Sequence, residues 1–137
     1  MEAEQKAQMD PDESWSEPER WAWVEIRAGK IADFHARHSK LDPKEPEGWD
    51  QTRKLSQVFL ETILLGEPFK GAVPRQGVRI VGAWFEEPID LENAQIVPQL
   101  WLVQCRFERT VGFSSATFSS GLSFEGSRAV SMNAESF

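Results

Sequence analysis

The chain has 137 residues, a net charge of -7, 40 % hydrophobic and 27 % charged residues, which suits one soluble domain with a modest core. No apolar run reaches the roughly 18 residues of a membrane span, and the start MEAEQKAQMDPDE is too acidic and polar for a secretory signal. With Cys105 as the single cysteine, an intrachain disulfide and a cysteine metal cluster are both excluded.

Residues 1–70 carry 15 acidic and 10 basic residues, residues 71–137 only 7 and 5. Neither half offers a basic stripe for nucleic-acid phosphates. A cytoplasmic protein that binds neither nucleic acid nor membrane is the expectation.

In chain order, residues 1–15 read as a disordered acidic tail, polar and unpatterned. Residues 16–70 read as a helical cap. Ser16 and Glu19 form a capping box with Pro18 in the first turn, and Gly29 is a stop for the segment Glu17–Ala28. Trp21, Trp23, Val24 and Ile26 are more apolar surface than a solvated helix needs, so this helix should dock. Lys30–His38 is ambiguous, with Ile31 and Phe34 as anchors of a short turn. Residues 39–48 are loop, punctuated by Pro43, Pro46 and Gly48. Asp50 is the N-cap candidate of a second helix. Its apolar face is Leu55, Val58, Phe59, Thr62, Ile63 and Leu65, with Leu60 and Leu64 on the flanks. Gly66 and Pro68 end it.

From Val78 to Ala129 the chain repeats in elevens. Ile80, Leu91, Leu102, Phe113 and Phe124 form one column; Val78, Ile89, Leu100, Val111 and Leu122 form another. Within one unit, Leu100 and Leu102 share a face, and so do Cys105 and Phe107. The step of three from Leu102 to Cys105 would put the two apolar pairs on opposite faces of a straight strand. A corner at Val103–Gln104 resolves the conflict, and Glu92–Asn93, Ser114–Ser115 and Glu125–Gly126 suit the same bend.

Short strands turning the same way predict a coil. The small-x-large triplets Ala83-Trp84-Phe85, Ala94-Gln95-Ile96, Cys105-Arg106-Phe107 and Ala116-Thr117-Phe118 resemble the pentapeptide-repeat family. The runs GWDQTRKLSQVFLETILLGE and VRIVGAWFEEPIDLENAQI are similar to the N-terminal part of longer bacterial pentapeptide-repeat-like proteins. The resemblance implies a mainly β fold: a short right-handed four-sided β-helix of about 22 residues per coil, over residues 71–137, with an N-terminal α-helical cap. At that period Trp84, Arg106 and Arg128 make one outward ladder, and Arg79 and Trp101 begin another. These five residues are the candidate interaction surface, with Arg–Trp cation–π pairs worth about 0.5–1 kcal/mol each when exposed. Two and a half coils are few for a solenoid, so the open C-terminal coil is expected to continue or to stack on a partner.

Other chemistry-bearing residues have plainer readings. Cys105 sits in a small inward column and reads as packing. His35 and His38, with Asp33, lack further metal ligands. Glu86, Glu87, Asp90 and Glu92 read as a solvated face. Ser114, Ser115, Ser119 and Ser120 are corner residues without a base. The expectation is a non-enzymatic protein-interaction or scaffold module without catalytic, metal or cofactor residues. Its partner would be another protein, or a second copy at the open coil. The alternative is a DNA mimic that inhibits a DNA-binding protein such as gyrase, against which the outward arginines argue; an enzyme ranks last.

Overall fold

The structure is a computed structural model and describes residues 10–129 and 132–133. Helix α1 spans Glu17–Arg27 and starts as its sequence demands. Glu19 N–H donates to Ser16 Oγ (3.4 Å) and Ser16 N–H to Glu19 Oε1 (3.0 Å), so two orphan donors are satisfied reciprocally. Ala22, Trp23 and Ile26 are fully buried, while Val24 lies on the exposed side. Beyond Gly29 the ambiguous stretch resolves into strand β1, Ala32–Asp33, and a one-turn helix α2, Phe34–Arg37, capped by the Asp33 carboxylate on Ala36 N–H (3.1 Å).

Asp50 caps a 3-10 turn, Gln51–Arg53, rather than a long helix. Lys54 and Leu55 then run extended beside Trp84, where Leu55 N–H donates to the Trp84 carbonyl (3.0 Å). This bridge ends the first turn, and α3, Gln57–Leu65, begins afresh at the Ser56 cap. The buried stripe of α3 is Phe59, Leu60, Ile63 and Leu64, so the two flank leucines are core and Val58 is 68 % exposed. A short α4 follows, Phe69–Ala72. Trp15, the last residue of the expected tail, is buried against Trp23, Phe59 and Phe69 at ring distances of 6.1, 4.9 and 4.7 Å. Residues 1–9 of that tail lie outside the described residues.

The remaining described residues form strands of two to four residues joined by short turns: β2 Val78–Val81, β3 Trp84–Phe85, β4 Ile89–Asp90, β5 Gln95–Ile96, β6 Leu100–Val103, β7 Arg106–Phe107, β8 Val111–Gly112, β9 Thr117–Phe118, β10 Leu122–Ser123, β11 Arg128–Ala129 and β12 Met132–Asn133. They pair in four small sheets, ordered β1-β2-β6-β10, β3-β7-β11, β4-β8-β12 and β5-β9, and every pair is parallel. Partners are 22 residues apart from β2 through β11: Val78 pairs with Leu100 and Leu100 with Leu122, Trp84 with Arg106 and Arg106 with Arg128. At β12 the step is 21, because Met132 pairs with Val111.

The expected fold class requires correction. Among the described residues the chain forms short helices and short strands in small separate parallel sheets, not a single right-handed β-helix solenoid. The physical cause lies in the corners. Gly82, Asn93, Gln104, Ser115 and Gly126 all have φ between 50° and 73°, one left-handed residue every 11 positions. Each interrupts the extended backbone after a two- to four-residue run, so no long strand accumulates. Residues 10–72 contribute mostly helix and loop.

One continuous apolar core joins the two halves. Phe85 stacks on Phe107 (4.8 Å, 9°) and Phe113 on Phe124 (5.5 Å, 16°), while the α1 and α3 side chains close the same core from the other end. Among the described residues no helix is long and apolar enough to cross a membrane.

Candidate interaction surface

The two expected outward ladders exist but lie on different sheets. Arg79 and Trp101 are paired neighbours of β2 and β6, and the Arg79 guanidinium sits 5.5 Å from the Trp101 ring centre. Arg79 Nη2 also donates to the Gly29 carbonyl (2.8 Å), which ties this ladder to the end of α1. Trp84, Arg106 and Arg128 are paired neighbours of β3, β7 and β11. The cation–π contact expected between Trp84 and Arg106 is replaced by a shared carboxylate. Glu108 Oε1 accepts from Trp84 Nε1 (3.4 Å) and from Arg106 Nε.

Arg106 is not a free surface residue either. It is 7 % exposed, and its Nη1 donates to the Pro43 carbonyl (2.8 Å) of the loop after α2. That loop, residues 38–49, folds over the outer side of β7 as a strap. Trp49 closes it by donating its indole N–H to the Glu45 carbonyl (3.0 Å). Between the strap and the corner residues Gln104 and Gly126 lies a shallow cleft of about 500 Å³, rimmed by Lys40, Leu41 and Lys44. A second shallow cleft of about 480 Å³ runs between Val73, Pro74, Arg75 and Val97, Pro98, Gln99.

The strap is pinned from below by Arg53, which is 2 % exposed. Its Nη2 donates to the Ser39 carbonyl and to Ser39 Oγ (3.3 Å), its Nη1 to His35 Nδ1 (3.0 Å) and the Gly82 carbonyl (3.4 Å). Leu41 N–H points at the same His35 nitrogen (3.4 Å). Burial, reinforced by the Arg53 charge, holds the His35 pKa below the usual histidine range. His38 is exposed, and among the described residues no group of three or more His, Cys, Asp and Glu is placed to hold a metal ion.

The remaining candidates have local duties. Cys105 is fully buried, and burial pushes its thiol pKa up to about 12, which keeps it a thiol rather than a nucleophilic thiolate. Glu86 pairs with Lys54 (2.9 Å), Glu87 accepts from Gln57 N–H (3.1 Å), and Asp90 accepts from Glu92 N–H (3.0 Å). Ser115 is a left-handed corner. Sequence reasoning missed Arg53, Ser39 and Trp49 altogether. Arg53 meets His35 across 18 residues and Arg106 meets Pro43 across 63, with no periodicity to announce either contact.

The two edges of the strand stack differ. On the side of β2 to β5, β1 pairs with β2, the Lys54 bridge covers β3, and the Gln57 side-chain amide both donates to the Asp90 carbonyl (2.9 Å) and accepts from Asp90 N–H (2.9 Å). On the opposite side, among the described residues, β9, β10, β11 and β12 each have a strand partner on one side only. The inward side chains follow suit: Ile96, Leu100 and Leu102 are fully buried, whereas Phe118, Leu122 and Phe124 are half-buried.

Comparison with family models, with curated proteins and with solved structures finds no match to this chain.

Proposed function

We propose that this chain is a non-enzymatic interaction or scaffold module of the cytoplasm, and that its working surface is the edge formed by β9, β10 and β11. The observation that carries this reading is the asymmetry of the two strand edges. A parallel edge with half-buried Phe118, Leu122 and Phe124 behind it offers backbone hydrogen bonds and apolar area together. The occupant is a second copy of the chain or another protein that adds a strand there. The resemblance of the small-x-large steps to pentapeptide-repeat-like proteins leans toward the same kind of role.

The test is light scattering over a wide concentration series, comparing the parent chain with Leu122→Pro. Proline on the edge strand removes a backbone donor. Mass should rise with concentration in the parent chain and stay monomeric in the variant. A parent chain that remains strictly monomeric overturns self-association, and a strand-adding partner would then be the reading to pursue.

A further inference from the structure

We propose that residues 38–49 form an acid-released strap, held closed over the outer side of β7 by an unprotonated His35. Two hydrogen bonds to one ring nitrogen carry the argument. Arg53 can only donate, so the 3.0 Å contact makes His35 Nδ1 the acceptor. Leu41 N–H from the strap aims at the same nitrogen. A proton on Nδ1 would remove both interactions and set an imidazolium against a guanidinium that is itself buried.

Each element around His35 bears on this balance. The 3-10 turn contributes Arg53, which opposes protonation. Asp33, at the start of α2, favours it but is further engaged in capping Ala36 N–H. The corner contributes the Gln104 side chain and the strap the Ser39 backbone, both of which favour the proton and are outweighed by burial and Arg53, while the strap's Trp49 ring packs T-shaped against the imidazole at 6.2 Å. Gly82 closes the remaining side. Its φ is +73°, and a Cβ there would lie 2.6 Å from the His35 ring, so the imidazole has no room to retreat past the backbone.

The sign follows from linkage. His35 is held below the usual histidine range, so the opened or unfolded strap binds the proton first. The closed strap therefore has its full stability above the ordinary histidine pKa and loses it as the pH falls through the lowered one. Release takes Ser39 from Arg53 and Pro43 from Arg106, which bares the Arg106 side of the outer ladder and opens the cleft beside Gln104 and Gly126.

The chain contains two histidines, which makes the test direct. In a His38→Gln chain the single remaining imidazole and the Trp49 indole N–H are followed together by NMR, from about pH 8 to about pH 5. The expected result is one shared midpoint, with loss of the Trp49 indole signal's protection and unchanged far-UV circular dichroism. In His35→Gln the amide oxygen still accepts from Arg53 but cannot titrate, so the Trp49 transition should vanish. A Trp49 transition that survives His35→Gln overturns the proposal. So does a His35 titration that leaves Trp49 unmoved, or a loss of circular dichroism at the same midpoint. Should His35→Gln fail to fold, the co-titration in the His38→Gln chain decides alone.

Discussion

The two edges of the strand stack are built from the same apolar columns and end in opposite ways. At the β2–β5 edge three of the four sheets meet something shaped for them, a strand for β2, a bridge residue for β3 and a side-chain amide for β4, and α3 lies near β5. At the β9–β12 edge the described residues supply pairing from one side only. The comparison teaches that an apolar column specifies burial but cannot supply its own terminus. Closing an edge takes residues from outside the repeat, with different chemistry at each sheet.

That contrast can be broken most forcefully in the core. Phe59→Ala removes a fully buried ring of α3 at the closed edge, and should cost about 3–5 kcal/mol in urea unfolding. Phe124→Ala removes the same side chain where it is half-buried, and should cost about half as much. Equal losses would mean that the far edge is as closed as the near one.

The next effect tests what ties the helices to that closed edge. Glu19 is 6 % exposed, and its carboxylate serves two helix starts at once. Oε1 accepts from Ser16 N–H, while Oε2 accepts from Ser56 N–H (2.8 Å) and Ser56 Oγ (2.6 Å). Glu19→Ala leaves those donors without their charged acceptor and should cost about 2–3 kcal/mol by thermal or urea denaturation. A loss no larger than that of an ordinary surface substitution would show that the two helix starts are independent.

The smallest effect sharpens the comparison at a single sheet. Gln57→Ala removes the amide that mimics a neighbouring strand for Asp90. The site is exposed and water can replace it, so the expected loss is about 0.5–1 kcal/mol. Amide hydrogen exchange at Asp90 should accelerate while Val111, deeper in the same sheet, stays protected. Acceleration at both positions would mean that the cover stabilises the whole sheet rather than its edge.

Much of the strand register was legible because it repeats. Four columns at 11-residue spacing, doubled, place Arg79 beside Trp101 and Trp84 beside Arg106, and those neighbours are found. The odd step after Leu102 marked the corner at Gln104, which does take a left-handed backbone. The Ser16–Glu19 capping box was equally readable, because its chemistry is local. The same periodicity misled when extended to a single β-helix. A column says which residues face inward together, not how many residues around each stay extended. Trp15 looked like the end of a tail because nothing local distinguishes a docked tryptophan from an unpatterned one; only the presence of Trp23, Phe59 and Phe69 decides it.

The amino-acid sequence alone determined the inward columns, the corners between them and the start of α1. Each of these depends on residues at most one repeat apart, where steric preference and burial act along the chain itself. Tertiary structure decided the rest: β1 joining β2, Glu19 reaching Ser56, and Arg53 fastening His35 and Ser39 beneath the strap. The Glu19 and Arg53 contacts are selective because a buried charge must find its partners wherever the fold brings them, and sequence distance does not enter that requirement.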